Sequence, residues 1–314
     1  MRNIIPVSAV IATRNRAASL TRTFHSLALQ EVAPSELIVV DGSQDEATKD
    51  LVAKLSQEYG TSLPVRWIPA TVAGAATQRN EGITMATQPY IWFLDDDVLF
   101  EPGCVQHLWN AINGDPELGG VNAMIINQRY QPPGFVSRSM FTLMHGRREK
   151  SFAGRIIGPA INLLPEDRED LPEVVPVQWL NTTCTIYRRD ALPSPPFDAI
   201  FTGYSLMEDV ALSLHVGKKW KLANARRARI VHDSQPGDHK SETRHIAKME
   251  VVNRYYVMTN ILETRGALSF LRFGAWQLFQ LASIAARSST RRKAVPILLG
   301  QWDGLKAIMS KPKE

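Results

Sequence analysis

Tyr90-Ile91-Trp92-Phe93-Leu94-Asp95-Asp96-Asp97 decides how this chain is read: five apolar residues run straight into three acids. A short apolar run rich in aromatic and branched residues reads as a strand. Side chains alternate along a strand, so Asp95 and Asp97 point the same way and can share one cation. Oxygen ligands of this kind suit Mg²⁺ or Mn²⁺. The plainer alternative is an acidic turn that caps the helix after Pro102, since Asp is favoured in turns and caps.

Towards the N-terminus the pattern repeats. Residues 7–13, 36–41 and 65–68 read as strands; 19–29, 46–59 and 75–86 read as helices. In the first of these helices Leu20, Phe24, Leu27 and Ala28 recur at helical spacing. Strands alternating with helices imply βαβ units and a largely parallel sheet. Ligands of such sheets collect outside the carboxyl ends of the strands. Polar residues stand at those ends: Thr13-Arg14-Asn15-Arg16, Asp41-Gly42-Ser43 and Asp95-Asp96-Asp97. With Arg79-Asn80 in the third helix, Thr13, Arg14 and Asp41 can line a pocket for a base, a ribose and phosphates.

Towards the C-terminus, residues 127–175 are rich in Pro, Gly and Arg and read as a mobile loop or variable insertion. Residues 145–150, with Arg147, Arg148 and Lys150, read as a solvated basic loop or a contact for a phosphorylated acceptor. Residues 177–187 read as a strand and 221–232 as one or two more. Residues 207–216 form a short amphipathic helix that opens on Glu208-Asp209. A carboxylate pair there is placed for general-base work, or it simply complements the helix dipole. His232, which ends the last strand, offers an imidazole as a third metal ligand, or is structural.

The composition limits the classes. Hydrophobic residues make up 44% and charged residues 21% of the 314, which is a globular and not a disordered balance. A formal net charge of +5 allows an anionic partner without selecting one. Two cysteines far apart exclude a disulfide scaffold and a zinc site and read as buried thiols. The first ten residues lack the pattern of a signal peptide, so a cytoplasmic chain is expected.

Taken in order, Val10-Ile11-Ala12-Thr13-Arg14-Asn15-Arg16, Val39-Val40-Asp41-Gly42-Ser43, Gln78-Arg79-Asn80-Glu81-Gly82, Leu94-Asp95-Asp96-Asp97 and Glu208-Asp209 resemble family 2 glycosyltransferases of the GT-A fold. The resemblance covers roughly residues 4–235. It implies an α/β domain of three layers, α/β/α, with a mostly parallel, mixed sheet over residues 1–235. The nucleotide-binding half would span about 1–125 and the acceptor half about 126–235, followed by a helical extension over 236–314. It implies a nucleoside-diphosphate sugar donor and a glycan or lipid-linked acceptor. Thr13, Arg14 and Asp41 would contact the nucleoside, and Arg79 and Asn80 would help to hold the nucleotide. Asp95 and Asp97 match the ends of the Asp-x-Asp motif for metal and diphosphate, with Asp96 between them on the nucleotide. Asp209 matches the catalytic base, with Glu208 beside it, and the family is largely inverting. The second motif carries one acid where many members show two. No Gln-x-x-Arg-Trp signature is present, which favours transfer of a single sugar over polymer synthesis. No nucleic-acid partner is expected.

In the C-terminal part, residues 250–262 read as a helix. Residues 267–286 are apolar and aromatic and precede Arg287 and Arg291-Arg292-Lys293. This resembles an interfacial helix on an anionic membrane; Arg272, Gln277 and Gln280 argue against a span. A helix packed on the domain or forming a homodimer is the alternative. Two other functions compete: a nucleotidyltransferase, disfavoured because residues 12–18 contain no Gly, and a non-catalytic scaffold at the membrane.

Overall fold

The computed structural model describes residues 2–234 and 242–310. Two compact units emerge: Met1–Gln131 with Ala153–Arg155 and Leu164–Gln235, and Pro132–Phe152 with Ile156–Leu163 and Pro236–Glu314. The expected boundary at residues 235–236 lies outside the described residues.

In chain order the first unit opens with β1 (Asn3–Thr13), α1 (Ala17–Ala28), β2 (Val32–Asp41), α2 (Ala47–Tyr59), β3 (Val65–Pro69), α3 (Ala75–Met85) and β4 (Tyr90–Asp95). These are the expected elements, with β1 and β2 starting earlier than periodicity indicated. Then come β5 (Val98–Phe100), α4 (Cys104–Gly114) and β6 (Leu118–Ile125). The second unit takes α5 (Phe135–His145), β7 (Ile156–Ile157) and β8 (Ile161–Asn162). The first unit resumes with β9 (Val174–Val177), β10 (Cys184–Arg188), α6 (Glu208–Val216) and β11 (Lys221–His232).

Two expectations are corrected here. The loop alternative for residues 127–175 does not hold, because the stretch contains secondary structure; the variable-insertion alternative is untouched by this. The stretch includes α5, whose one buried residue is Met144, so its apolar side chains give no clean core-facing stripe. Residues 177–187 are not one strand. Gln178–Thr183 leaves the ladder between β9 and β10; there Thr183 O accepts the Asp95 amide at 2.9 Å and Ser213 Oγ accepts the Leu180 amide at 2.9 Å.

The sheet order is β3-β2-β1-β4-β10-β6-β11-β5, with β9 also on β11. Strands β3, β2, β1 and β4 run parallel, as do β6 and β11. β10 is antiparallel to both its neighbours, and β5 and β9 are antiparallel to β11. Helices cover both faces. Ile11 and Val39 join Leu20 and Phe24 of α1 and Val52 of α2 in the main core. Val10 and Val40, one residue along, face α3. A Cβ on Gly82 of α3 would lie 2.3 Å from Val10 Cγ1, so only glycine lets this helix settle on the sheet. Trp92 is fully buried beside Phe100, with ring centroids 5.7 Å apart and edge-on. Truncating such a residue to Ala costs about 3–5 kcal/mol. Cys104 and Cys184 are free and buried, as read.

One feature of this order positions the site. β5 follows β4 almost at once, yet β10, β6 and β11 lie between them. In a flat sheet those four spacings would span about 19 Å. The three peptide steps from Asp95 to Val98 reach at most about 11 Å. The sheet therefore curls, and the end of β11 returns to the turn after β4.

The second unit also holds α7 (Thr243–Tyr256), a π-helical turn (Val257–Ile261), α8 (Ala267–Ala286) and α9 (Ala294–Met309). Val251, Met258 and Phe273 form its core, with Tyr255 and Ile308 packed against them. α8 buries Phe273, Trp276 and Gln277, and Gln277 Oε1 accepts from Gln301 Nε2 at 3.1 Å. In the basic stretch, Arg147 Nε pairs with Glu149 at 2.8 Å. Among the described residues, no helix is long and apolar enough to cross a membrane.

Candidate active site

Register brings the strand ends to one level: Thr13 is opposite Asp41, and Ala12 is opposite Asp95. Gln78 of α3 ties this edge together. Its Nε2 donates to Thr13 O at 2.8 Å and Val40 O at 2.7 Å, and its Oε1 accepts from the Gly74 amide at 3.0 Å. Asp41 is turned into the structure. It accepts from the Ser43 amide at 2.9 Å and from Trp67 Nε1 at 3.0 Å.

The three acids after β4 separate in role. Asp96 is buried; it accepts from Thr13 Oγ1 at 2.6 Å and pairs with Arg16 Nη1 at 2.7 Å. Burial pushes its carboxyl up to about 7, against the pull of Arg16 and Thr13. Asp97 is equally buried, and burial alone would raise it too. His232 and Arg16 outweigh that and hold it down at about 2. Arg16 Nη2 reaches Asp97 Oδ2 at 2.6 Å, and His232 Nε2 lies 3.0 Å from Oδ1. His232 arrives because it pairs with Val98 of β5, the residue after Asp97. Asn127 clasps its backbone, accepting from the His232 amide at 3.0 Å and donating to its carbonyl at 2.9 Å. Gln128 Nε2 stands 3.2 Å from its Nδ1.

Arg79 links this edge to α6. It is buried, and it donates from Nη2 to Asp95 Oδ1 at 2.7 Å and from Nη1 to Glu208 Oε1 at 2.9 Å. The loop before α6 is bent by left-handed residues: Gly203 at φ 61°, Ser205 at 56° and Met207 at 72°. Non-glycine residues there store strain, which clusters at functional sites. The bend sets Glu208 and Asp209 at the helix start. Burial pushes Glu208 above the carboxylate range, and neighbouring Asp209 adds to the push. Asp209 is only partly buried, yet burial is still the main cause that takes it up to about 6; the Val210 amide, which it accepts at 2.7 Å, and Arg79 hold it lower.

The structure thus gathers Thr13, Asp95, Asp96, Asp97, Arg79, Glu208 and His232 in one network, with Asp209 beside it. Arg14 stands exposed in the loop after β1. Asn80 is engaged elsewhere: its Nδ2 donates to Phe197 O at 2.8 Å, and its Oδ1 accepts the Phe197 amide at 3.1 Å. Sequence reasoning missed Arg16 as the partner of the acids, although it sits in the same loop as Arg14. It also missed Tyr204, whose phenol is raised first by burial and then by Asp95, Glu208 and Asp97. No local pattern marks that tyrosine.

Asp95, Asp97 and His232 offer ligand atoms within 4.8 Å of one another. Ligands around an octahedral cation with bonds of about 2.1 Å stand about 3–4.2 Å apart. The set therefore fits a divalent cation after small side-chain movements, and its mix of carboxylate and imidazole matches such an ion.

The fold matches that of solved GT-A glycosyltransferases. A mannosyltransferase from Pyrobaculum calidifontis, solved with GDP-Man and Mn²⁺, superposes with a TM-score of 0.56 over 97% of this chain and 88% of that one, at 14% identity. S. aureus TarS residues 1–349, solved with UDP-GlcNAc, superposes at 0.52 over 98% and 82%, at 17% identity. The class is therefore a GT-A fold. Residues 8–192 match the family model described as Glycosyl transferase family 2, and the chain belongs to that family. It is 36% identical over 112 residues to validoxylamine A glucosyltransferase of Streptomyces hygroscopicus subsp. limoneus, a match over 34% of this chain and 24% of that protein's length. It is 26% identical over 270 residues to the N-acetylglucosaminyl-diphospho-decaprenol L-rhamnosyltransferase of Mycobacterium tuberculosis, covering 79% and 81%.

Proposed function

We propose that this chain moves a single sugar, with inversion, from a nucleoside-diphosphate sugar to a hydroxyl of a glycan, polysaccharide or lipid-linked acceptor, using Mn²⁺ or Mg²⁺. One observation carries the reading: a single buried guanidinium, Arg79, pairs with both Asp95 and Glu208. The acidic strand end and the acidic helix start are thus within one side chain's reach.

Asp95, Asp97 and His232 would hold the cation, which when bound neutralises the departing diphosphate. Arg14, exposed after β1, would meet the nucleotide end of the donor directly, while Thr13, Asp41 and Asp96 would shape that edge from within through their bonds to one another and to Ser43 and Trp67. Arg79 and Asn80 act indirectly, Arg79 by fixing two carboxylates and Asn80 by fixing the loop at Phe197. Asp209 is the base. With its carboxyl at about 6 it is ionised at neutral pH and still basic enough to take an acceptor proton. As that O–H bond breaks, the acceptor oxygen bonds the anomeric carbon from the face opposite the leaving group. The bond to the diphosphate breaks on the other face, and the electron pair leaves with it.

The first unit is read as the catalytic domain, with the segment over 236–314 making peripheral contact with the cytoplasmic face of a membrane. The lipid-diphosphate name of the mycobacterial relative supports a lipid-linked acceptor. A panel of nucleotide sugars, screened by thermal shift with Mn²⁺ and then EDTA, tests the reading. One donor is expected to raise the melting temperature only with metal present. No shift with any donor would end the proposal.

A further inference from the structure

α9 (Ala294–Met309) is packed on one side and bare on the other. Gly300 and Gly304 face α7: a Cβ on Gly300 would lie 2.2 Å from Arg244 O, and one on Gly304 would lie 2.7 Å from Val251 Cβ. That close approach fixes which side of the helix turns outward. The outward side carries Val295, Leu298, Leu299, Trp302, Leu305 and Met309, at helical spacing and with exposures from 37% to 83%. An amphipathic helix of a globular fold normally turns such a stripe to its core. Here glycines and Gln301 take the inner side, and the large side chains face out. A contiguous exposed apolar stripe marks an interaction surface.

Charge identifies the occupant. Among the described residues no acid interrupts the stripe; Asp303 lies beside it, paired with Arg244 at 2.6 Å and Lys306 at 3.3 Å. Arg291, Arg292 and Lys293, all exposed, stand at the start of the helix. Lys306 Nζ lies 6.0 Å from the Trp302 ring, so an ammonium can reach headgroups while the indole sits below it. In a two-fold contact through this stripe, a second copy would bring Arg291, Arg292 and Lys293 again, while the neighbouring Asp303 is already paired with Arg244 and Lys306.

We propose that the outward stripe of α9 is an interfacial anchor seated at the headgroup level of an anionic bilayer. This deepens the membrane-contact part of the function above. It moves the contact to α9, and it is independent of the sugar chemistry.

The full chain is sedimented with phosphatidylcholine vesicles, with and without phosphatidylglycerol. Wild type is expected to bind only the anionic vesicles. Leu298→Glu/Trp302→Glu should weaken binding by roughly tenfold or more, with circular dichroism unchanged. Should that pair unfold, Leu298→Gln/Trp302→Gln replaces it. Removing the cations one at a time, with Arg291→Gln, Arg292→Gln and Lys293→Gln, should cost about fivefold each on anionic vesicles. If wild type binds no vesicle, the membrane contact itself falls while the catalytic reading stands. If the α9 variants bind as tightly as wild type, contact lies elsewhere and the assignment to α9 is wrong. If light scattering shows a dimer that the variants abolish, without vesicle binding, the stripe is a self-interface and the proposal is overturned.

Discussion

The acidic edge of the first unit and the outward face of α9 break the usual burial pattern in opposite directions. At the edge, charge is buried: Asp96, Asp97, Arg79 and Glu208 are all nearly inaccessible. On α9, Leu298 and Trp302 are half exposed or more. Buried charge is costly unless paired, and here Arg16, Arg79 and His232 do the pairing. The apolar face of α9 has no such compensation on the helix itself. One region thus has its charges paired within the unit; the other leaves an apolar face exposed, which the proposed bilayer contact would cover.

The largest effect should fall on the base. Asp209→Asn should lower transfer about a thousandfold or more, in line with loss of a general base and its positioning, while nucleotide affinity stays. Near-normal turnover would remove Asp209 from the mechanism. Next, Asp97→Ala should weaken Mn²⁺-dependent nucleotide binding by roughly tenfold or more, since loss of even an outer-shell partner of a metal ligand costs about 10–100-fold. Unchanged titration calorimetry would refute the metal role.

A pH profile gives a smaller and signed effect. Asp209 has its value raised to about 6, so it holds its proton more tightly in the folded chain. Below that pH the base is protonated, and kcat/KM should fall about tenfold per unit. Asp97, at about 2, stays ionised throughout and cannot produce this limb. By linkage, the raised Asp209 contributes stability at low pH that is lost as pH rises through about 6. A flat profile from pH 5 to 7 would contradict this. Smallest is the contrast on α9. Leu298→Gln should change stability by no more than about 0.5 kcal/mol. Gly300→Ala drives a methyl towards Arg244 O and should cost about 1–3 kcal/mol. Equal melting temperatures for the two variants would show that α9 is not held as described.

The alternation of β1 to β4 with α1 to α3 was legible because each element carries its own period. The acids were legible because they follow a strand. α5 and the split between β9 and β10 were not, since their ends depend on partners distant in sequence. Arg79 illustrates the same divide. Its place in α3 was plain, but its commitment to Asp95 and Glu208 was not, because those partners lie 16 and 129 residues away. That α9 would be helical was within the expected extension over 236–314, but which side of it faces out was not legible, because its apolar spacing is the same whether it faces a core or solvent.

Local periodicity determined the α/β order and put the three acids at a strand end, which follows from backbone geometry within a few residues; strand alternation does not place Asp97, because β4 ends at Asp95 and Asp97 lies in the turn that follows. Tertiary structure decided that His232 meets Asp97, through a sheet forced to curl by a short turn. It also decided that α9 shows its apolar side outward, through two glycines that only α7 could reveal as contacts. Such outcomes depend on which surfaces approach one another, and no local stretch of sequence contains that information.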